Sequence, residues 1–300
     1  MRIGLASSVG LLRESVADIV RAEERGFALF SMAQVFGRAG DFGVDPLLAF
    51  AAAAGQTRRI EMLSGVVPIF AHHPSGMAQM AVAAGRAAEG RFALGLGVGH
   101  KPWIEEQLGI AFDRPVARMR EFLAILRPLL DGAEVDFAGD FYTFRGRQMD
   151  TGHARIPLLV AALGPAMLRM SAEFADGTVL AQANPRAITE HVLPAWRSGS
   201  RTGSDPRIVL SLPIALTNDH EAARAAINAR GSYMAALPSY TAMLRRSGVE
   251  APADVALIGD EADLERGMRA LAEAGVTDLC TGGADERTLT FLAAYAASSR

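Results

Sequence analysis

Cysteine, lysine and tryptophan are nearly missing from this 300-residue chain, which has one, one and two of them. The single cysteine, Cys280, excludes an internal disulfide framework and a cysteine-ligated structural zinc site; as a free thiol it is expected to pack in the interior near a strand end. With Lys101 the only lysine, arginine supplies almost all positive charge. An anionic ligand would then be held by arginine forks, backbone amides or helix ends. The net charge of −3 and pI ≈ 6.1 leave no dense basic surface, which argues against a nucleic-acid-binding role. There is no apolar run of about 18 residues and no signal-peptide core at the N-terminus, so cytoplasmic residence and no membrane partner are expected. Histidines at metal-ligand spacing, a G-x-S-x-G elbow and a phosphate-binding G-x-x-x-x-G-K-[ST] loop are absent as well. A metal site, a serine hydrolase and a P-loop enzyme are thereby disfavoured.

What is present is alternation. Half of the residues are hydrophobic and 21% are charged, a balance suited to a sizeable buried core. Short aliphatic runs at residues 1–7, 27–33, 61–67, 91–97, 156–162, 177–182, 207–216 and 276–280 read as strands. Amphipathic helices are expected at 15–26, 46–57, 75–90, 118–130, 165–174, 187–196, 220–246 and 263–275. Each strand but the last is thus followed by a helix. Eight such strands predict an α/β fold closed as a (β/α)8 TIM barrel, one domain over residues 1–300, rather than a doubly wound sheet. Residues 100–116 after the fourth strand and 131–155 before the fifth exceed ordinary connections, so they read as insertions or covers. Pro238 should break or kink the long seventh helical tract.

In a barrel, chemistry comes from the C-terminal strand ends. Those ends offer Gln34, then Ser64, Gly65, Val66, Val67 and Pro68, then Gly97, Val98, Gly99 and His100, then Ala161, Ala162, Leu163, Gly164 and Pro165, and finally Gln182. Few of them ionise, which suits a site gripping a planar cofactor that carries the reaction. Gly95-x-Gly97-x-Gly99 departs from the dinucleotide fingerprint, which needs G-x-G-x-x-G near the first strand and opening a helix. Its glycines either relieve crowding between strands or let a ligand approach the backbone. Gly164-Pro165 could be a plain connection or an anion-attracting helix start. His72 and His73 fit a helix-opening turn or a ligand role, His100 a loop or a pocket, and Trp103, Phe36 and Phe112 loop packing or pocket wall. The Gln34 amide, among apolar neighbours, needs either a backbone partner or a cofactor.

Together these stretches resemble the bacterial luciferase-like superfamily, and within it the deazaflavin-dependent (coenzyme F420) oxidoreductases of actinobacterial type. The resemblance is carried by Gly26-Phe27 and residues 31–37, Gly65-Val66-Val67-Pro68-Ile69 with His73-Pro74, and Gly90-Arg91-Phe92 running to His100. It continues through Phe112-Asp113-Arg114-Pro115, residues 161–168, Ala175-Asp176-Gly177, and Leu237-Pro238-Ser239-Tyr240 with Leu244. It implies a TIM barrel with F420 at the C-terminal face and hydride transfer between the deazaflavin and a small-molecule substrate. It further implies a homodimer and a non-proline cis peptide, which the match places at Ser64–Gly65. By the same resemblance Gly97, Gly99 and His100 line the ring and residues 161–165 contact the phosphate-bearing tail. His100 would be the proton donor or acceptor, and Gln34 a polar orienter. Sugar-phosphate dehydrogenases of the superfamily have Asp-His where this chain has Gln34-Val35, and glutamate in place of His100, so their mechanism is not expected. An FMN-dependent monooxygenase and a non-catalytic flavin-binding barrel are the alternatives.

Overall fold

Proline and a few capping side chains decide where many of the helices start. Helices beginning at Pro46, Pro74, Pro115, Pro165 and Pro238 use its fixed φ at the first position, where its missing N–H has no helical partner to lose. Asp45 reinforces one of these starts by accepting from the Leu47 and Leu48 amides at 2.9 and 3.1 Å. A computed structural model of the chain describes residues 1–7, 10–35, 43–147, 152, 154–200 and 202–298.

Eight parallel strands form the centre: β1 Arg2–Ser7, β2 Leu29–Met32, β3 Glu61–Ser64, β4 Phe92–Gly97, β5 Leu158–Ala161, β6 Gly177–Ala181, β7 Arg207–Ser211 and β8 Asp278–Thr281. Each pairs with the next, and β8 returns to β1 with Asp278 opposite Arg2. The sheet is therefore closed, and the fold is the (β/α)8 barrel. Its interior contains a layer with one small or aliphatic side chain per strand: Leu29, Leu63, Ala93, Leu159, Val209 and Cys280, with Ala6 and Val179 packed against them. Cys280 is fully buried there. A larger apolar layer, including Phe50, Phe92 and Phe122, lies between barrel and helices, each such side chain contributing about 1.5–3 kcal/mol by leaving water.

Three departures from the expected elements, and two expected interruptions, have local causes. The third strand breaks after Ser64 and resumes as Val67–Pro68 beside Leu96 and Gly97, with a cis peptide between Gly65 and Val66. The resemblance places that bond one residue earlier. Gly65 still donates to the Met32 carbonyl at 2.8 Å, so the Ser64–Gly65 bond stays in the ladder and the next is the first free to turn. The seventh strand stops before Pro213, which has no N–H to offer; Ile214–Leu216 instead pairs with Leu257–Gly259 in a side ribbon. The seventh helical tract splits into His220–Ala235 and Pro238–Arg246, as Pro238 requires. The two insertions hold a short helix, Lys101–Glu106, and an antiparallel hairpin of Glu134–Ala138 with Thr143–Arg147. A helix also follows the last strand, Glu286–Ser298, opened by Asp285 accepting from the Thr288 amide at 2.8 Å.

Candidate functional site

The barrel's C-terminal mouth is paved with the smallest residues in the code. The first four strands end on or next to Ser7, Ala33, Gly65 and Gly97; the last four on or next to Ala161, Ala181, Ser211 and Gly282. All eight line one cavity of about 770 Å³. Strand ends of this size leave open a space that ordinary side chains would fill, and its volume falls within the range of cofactor sites.

The floor on one side is the Gly65–Val66 turn and the Gly97–His100 stretch. Ser64 lies beneath it, buried, clamping β3 to β4 by donating to the Gly95 carbonyl at 2.9 Å and accepting from the Gly95 amide at 2.8 Å. Val67 and Ala162 are buried as well, and Pro165 is exposed at its helix start. Of the residues expected at the site, Gly65, Val66, Gly97, Val98, Gly99, His100, Ala161, Leu163 and Gly164 reach the cavity. Ser64, Val67, Ala162 and Pro165 support it from behind or beside.

Gln34 stands apart from the lining residues. Its side chain donates to Asp45 Oδ2 at 2.9 Å and meets His72 Nε2 at 3.2 Å through Oε1, while its backbone N–H donates to the Val66 carbonyl at 3.1 Å. That arrangement fixes His72 with hydrogen on Nε2. Burial lowers the His72 pKa, against the opposing pull of Asp45. His73 serves its own helix, its Nδ1 accepting from the Ser75 amide at 3.3 Å. Gln182, after β6, has φ +55° and an amide oxygen buried without a partner among the described residues.

His100 lies at the cavity rim with its ring edge-on to Trp103, centroids 4.5 Å apart, and tilted against Tyr240 at 5.7 Å. Burial holds its pKa below the usual histidine value, so the imidazole is neutral near pH 7. Trp103 is locked by its own N–H donating to the Tyr233 hydroxyl at 2.8 Å, with the two rings stacked. Phe112 stacks on Phe70 at 5.0 Å, which is loop packing; Phe36 lies outside the described residues.

No aspartate, glutamate, lysine or arginine is among the described residues that line the cavity. Positive charge comes up behind two of its walls: Arg246 Nη1 donates to the Leu163 carbonyl at 3.1 Å, where His191 Nε2 also bonds at 3.0 Å, and Arg230 Nη1 donates to the Gly283 carbonyl at 3.2 Å. The helix opened by Pro165 has only seven residues, so Arg246, more than that helix, supplies the attraction for an anion near Gly164. Residue-pattern reasoning passes over Tyr240, Ser239, Met167 and the Leu212-Pro213 corner, all of which line the cavity. The Pro238 break is the available signal for the first two, since it starts a new helix at the mouth. Among the described residues no group of histidine, cysteine or carboxylate side chains could hold a metal, and no helix is long and apolar enough to cross a membrane.

Comparison with known proteins agrees with this architecture. The profile of the family described as Luciferase-like monooxygenase matches residues 2–299. An F420-dependent glucose-6-phosphate dehydrogenase of Beutenbergia cavernae is 30% identical over 281 residues, covering 89% of this chain and 82% of that one. A 5,10-methylenetetrahydromethanopterin reductase of Archaeoglobus fulgidus is 29% identical over 165 residues, 55% of this chain and 48% of the reductase. An F420-dependent secondary alcohol dehydrogenase, solved with an F420-acetone adduct, superposes with a TM-score of 0.81 at 16% identity, covering 99% of this chain and 97% of that one.

Proposed function

This chain belongs to the luciferase-like monooxygenase family, and on that premise we propose that it is an F420-dependent oxidoreductase acting on a small organic substrate. The observation that carries the reading is the mouth itself: eight strand ends of glycine, alanine or serine around one cavity, with Arg246 behind its Leu163 wall and Arg230 behind Gly283. A flat tricyclic ring would lie over Gly65–Val66 and Gly97, which line the cavity; glycine at 97 is also required by packing, since a Cβ there would stand 2.6 Å from Val66 Cγ2. A phosphate-bearing tail fits along Leu163 and Gly164, where a Cβ would meet no protein atom within 4 Å, and there Arg246 supplies charge. F420 contributes hydride chemistry at its deazaflavin ring and does not readily activate oxygen.

The protein's own part is to orient and to manage a proton. Val66 is steadied from below by Gln34, whose N–H holds its carbonyl; Gln34 acts in this reading as a positioning residue for the ring floor. His100, neutral and at the rim, accepts or returns a proton beside the transfer site. The homodimer belongs to the same reading, supported by Leu11, Leu12 and Leu48, which stand exposed.

Fluorescence titration of the apo protein with F420, FMN and nicotinamide dinucleotides tests the cofactor. Saturable F420 binding, stronger than that of FMN, is expected. Tight FMN binding without F420 binding would favour the monooxygenase, and tight nicotinamide binding alone would overturn both.

A further inference from the structure

One helix reads both ends of the cavity. Ser239 and Tyr240, in the first turn of Pro238–Arg246, line it, and Arg246 at the other end bonds the Leu163 carbonyl at 3.1 Å. Six residues of helix separate Tyr240 from Arg246 by about 9 Å along the axis. Arginines thus stand behind the Leu163 wall and, through Arg230 Nη1 donating to the Gly283 carbonyl at 3.2 Å, behind Gly283, while no charged side chain is among the described lining residues themselves. The only lysine, Lys101, is paired with Glu105 at 2.7 Å.

At the Tyr240 end two polar groups have no hydrogen-bond partner among the described residues. Neither the Tyr240 hydroxyl nor a ring nitrogen of His100 makes a hydrogen bond to another described residue, and their rings lie against each other. The cavity they share is also lined by the apolar Val66, Val98, Leu212 and Pro213. Burial pushes the Tyr240 pKa up to about 12 and lowers that of His100, so near pH 7 the pair offers one hydroxyl donor and one neutral imidazole. A phosphate dianion brought here would lose water with no charged side chain in the described lining to replace it. An uncharged molecule bearing one oxygen would lose little, because its oxygen meets a donor that has no competing bond.

We propose that the Tyr240 end of the cavity is the substrate subsite, that Tyr240 donates a hydrogen bond to the oxygen of an uncharged carbonyl compound with apolar flanks, and that sugar phosphates are excluded. This deepens the F420 reading and rests on it for the division of the cavity between cofactor and substrate. It also parts this chain from the relative named for glucose 6-phosphate.

The test is calorimetric titration of apo and F420-loaded protein with acetophenone and with glucose 6-phosphate, for the wild type, Tyr240→Phe and Arg246→Ala. Wild type is expected to bind acetophenone and not glucose 6-phosphate. Tyr240→Phe should weaken acetophenone binding about three- to tenfold, the range of one hydrogen bond, with F420 affinity and thermal midpoint unchanged. Arg246→Ala should weaken F420 and spare acetophenone. Glucose 6-phosphate binding as tightly as acetophenone, no acetophenone binding, or Tyr240→Phe leaving it unchanged would each overturn the proposal. If F420 fails to bind, the cofactor reading falls, while the acetophenone and Tyr240→Phe titrations of the apo protein still decide the subsite.

Discussion

Gly95, Gly97, Gly99 and Gly164 look alike in the sequence and do different work in the barrel. A Cβ on Gly95 would collide with the Ser64 carbonyl oxygen, which is backbone and cannot step aside, so this glycine is a packing requirement where β3 meets β4. Gly99 has φ +71°, a conformation that a side chain strains. Gly164 has φ −99°, and a Cβ there would meet no atom within 4 Å, so nothing in the protein itself demands glycine at that position. The contrast gives a paired prediction. Gly95→Ala should destabilise by about 3 kcal/mol or prevent folding, by overpacking against backbone. Gly164→Ala should leave stability unchanged or raise it by about 0.4–1 kcal/mol, because it restricts the unfolded chain. If a cofactor tail passes over residue 164, the same variant should lose F420 affinity. Thermal unfolding and fluorescence titration on the two proteins separate these effects, and equal destabilisation by both would refute the assignment.

Among the elements, the hairpin Glu134–Ala138 with Thr143–Arg147 shows how an insertion is tied to the barrel. Glu121, on the helix Pro115–Leu130, accepts from the amides of Asp140, Phe141 and Tyr142 at 2.9, 2.8 and 3.1 Å. Arg118, on the same helix, lies over the rings of Phe141 and Phe70 at 4.3 and 4.7 Å. Glu121→Ala removes charge-assisted bonds worth about 1.5–3 kcal/mol together with their partners' satisfaction. Amides of the hairpin should then exchange hydrogen faster while those of β1 to β8 keep their protection; uniform loss throughout would mean that the hairpin is not a separate cooperative unit. The same elements mark where the sequence is legible. The eight barrel strands are readable within a few residues because each is a short aliphatic run bounded by glycine, proline or charge. The hairpin is not, since its Glu134–Ala138 arm is only five residues long and its turn is held by Glu121, about 20 positions away. The helix Glu286–Ser298 is readable from Asp285 and the spacing of Thr288, Leu292 and Ala296, but counting strands to eight hides it. At the site, the glycines and His100 can be read from strand ends; Tyr240 is not at a strand end, and its only signal is the helix start at Pro238 that brings it to the mouth.

At the scale of the whole barrel, charge is gathered at the end opposite the cavity. Arg207 bonds Glu61 at 2.7 Å and Asp278 at 2.9 Å, and Arg2 pairs with the same two carboxylates at 2.7 and 2.5 Å. Burial alone would lower the Arg207 pKa, but the bonds to Glu61 and Asp278 raise it. Arg207→Met leaves Asp278, 1% exposed, with Arg2 alone among these arginines, and should destabilise by about 3 kcal/mol, measured by urea unfolding. The cavity end answers to pH in a different way. His72, His100 and His191 all have pKa values lowered, first by burial, from the ordinary 6.5. Asp45 opposes the shift at His72, while Arg246 adds to it at His191. The unfolded chain therefore binds protons at a higher pH than the folded one. Stability is fully present above 6.5 and is lost as pH falls through the folded values, each histidine contributing at most about 1.4 kcal/mol per pH unit. Carboxylates such as Glu23, lowered by the amides of residues 58–60 despite burial, titrate well below that window. Urea midpoints should thus fall between about pH 7.5 and pH 5.5, and His100→Gln should make that fall shallower by removing one of the three groups. A midpoint flat across the window would show that these imidazoles bind protons equally in both states, and the burial-lowered pKa of His100 would go with it.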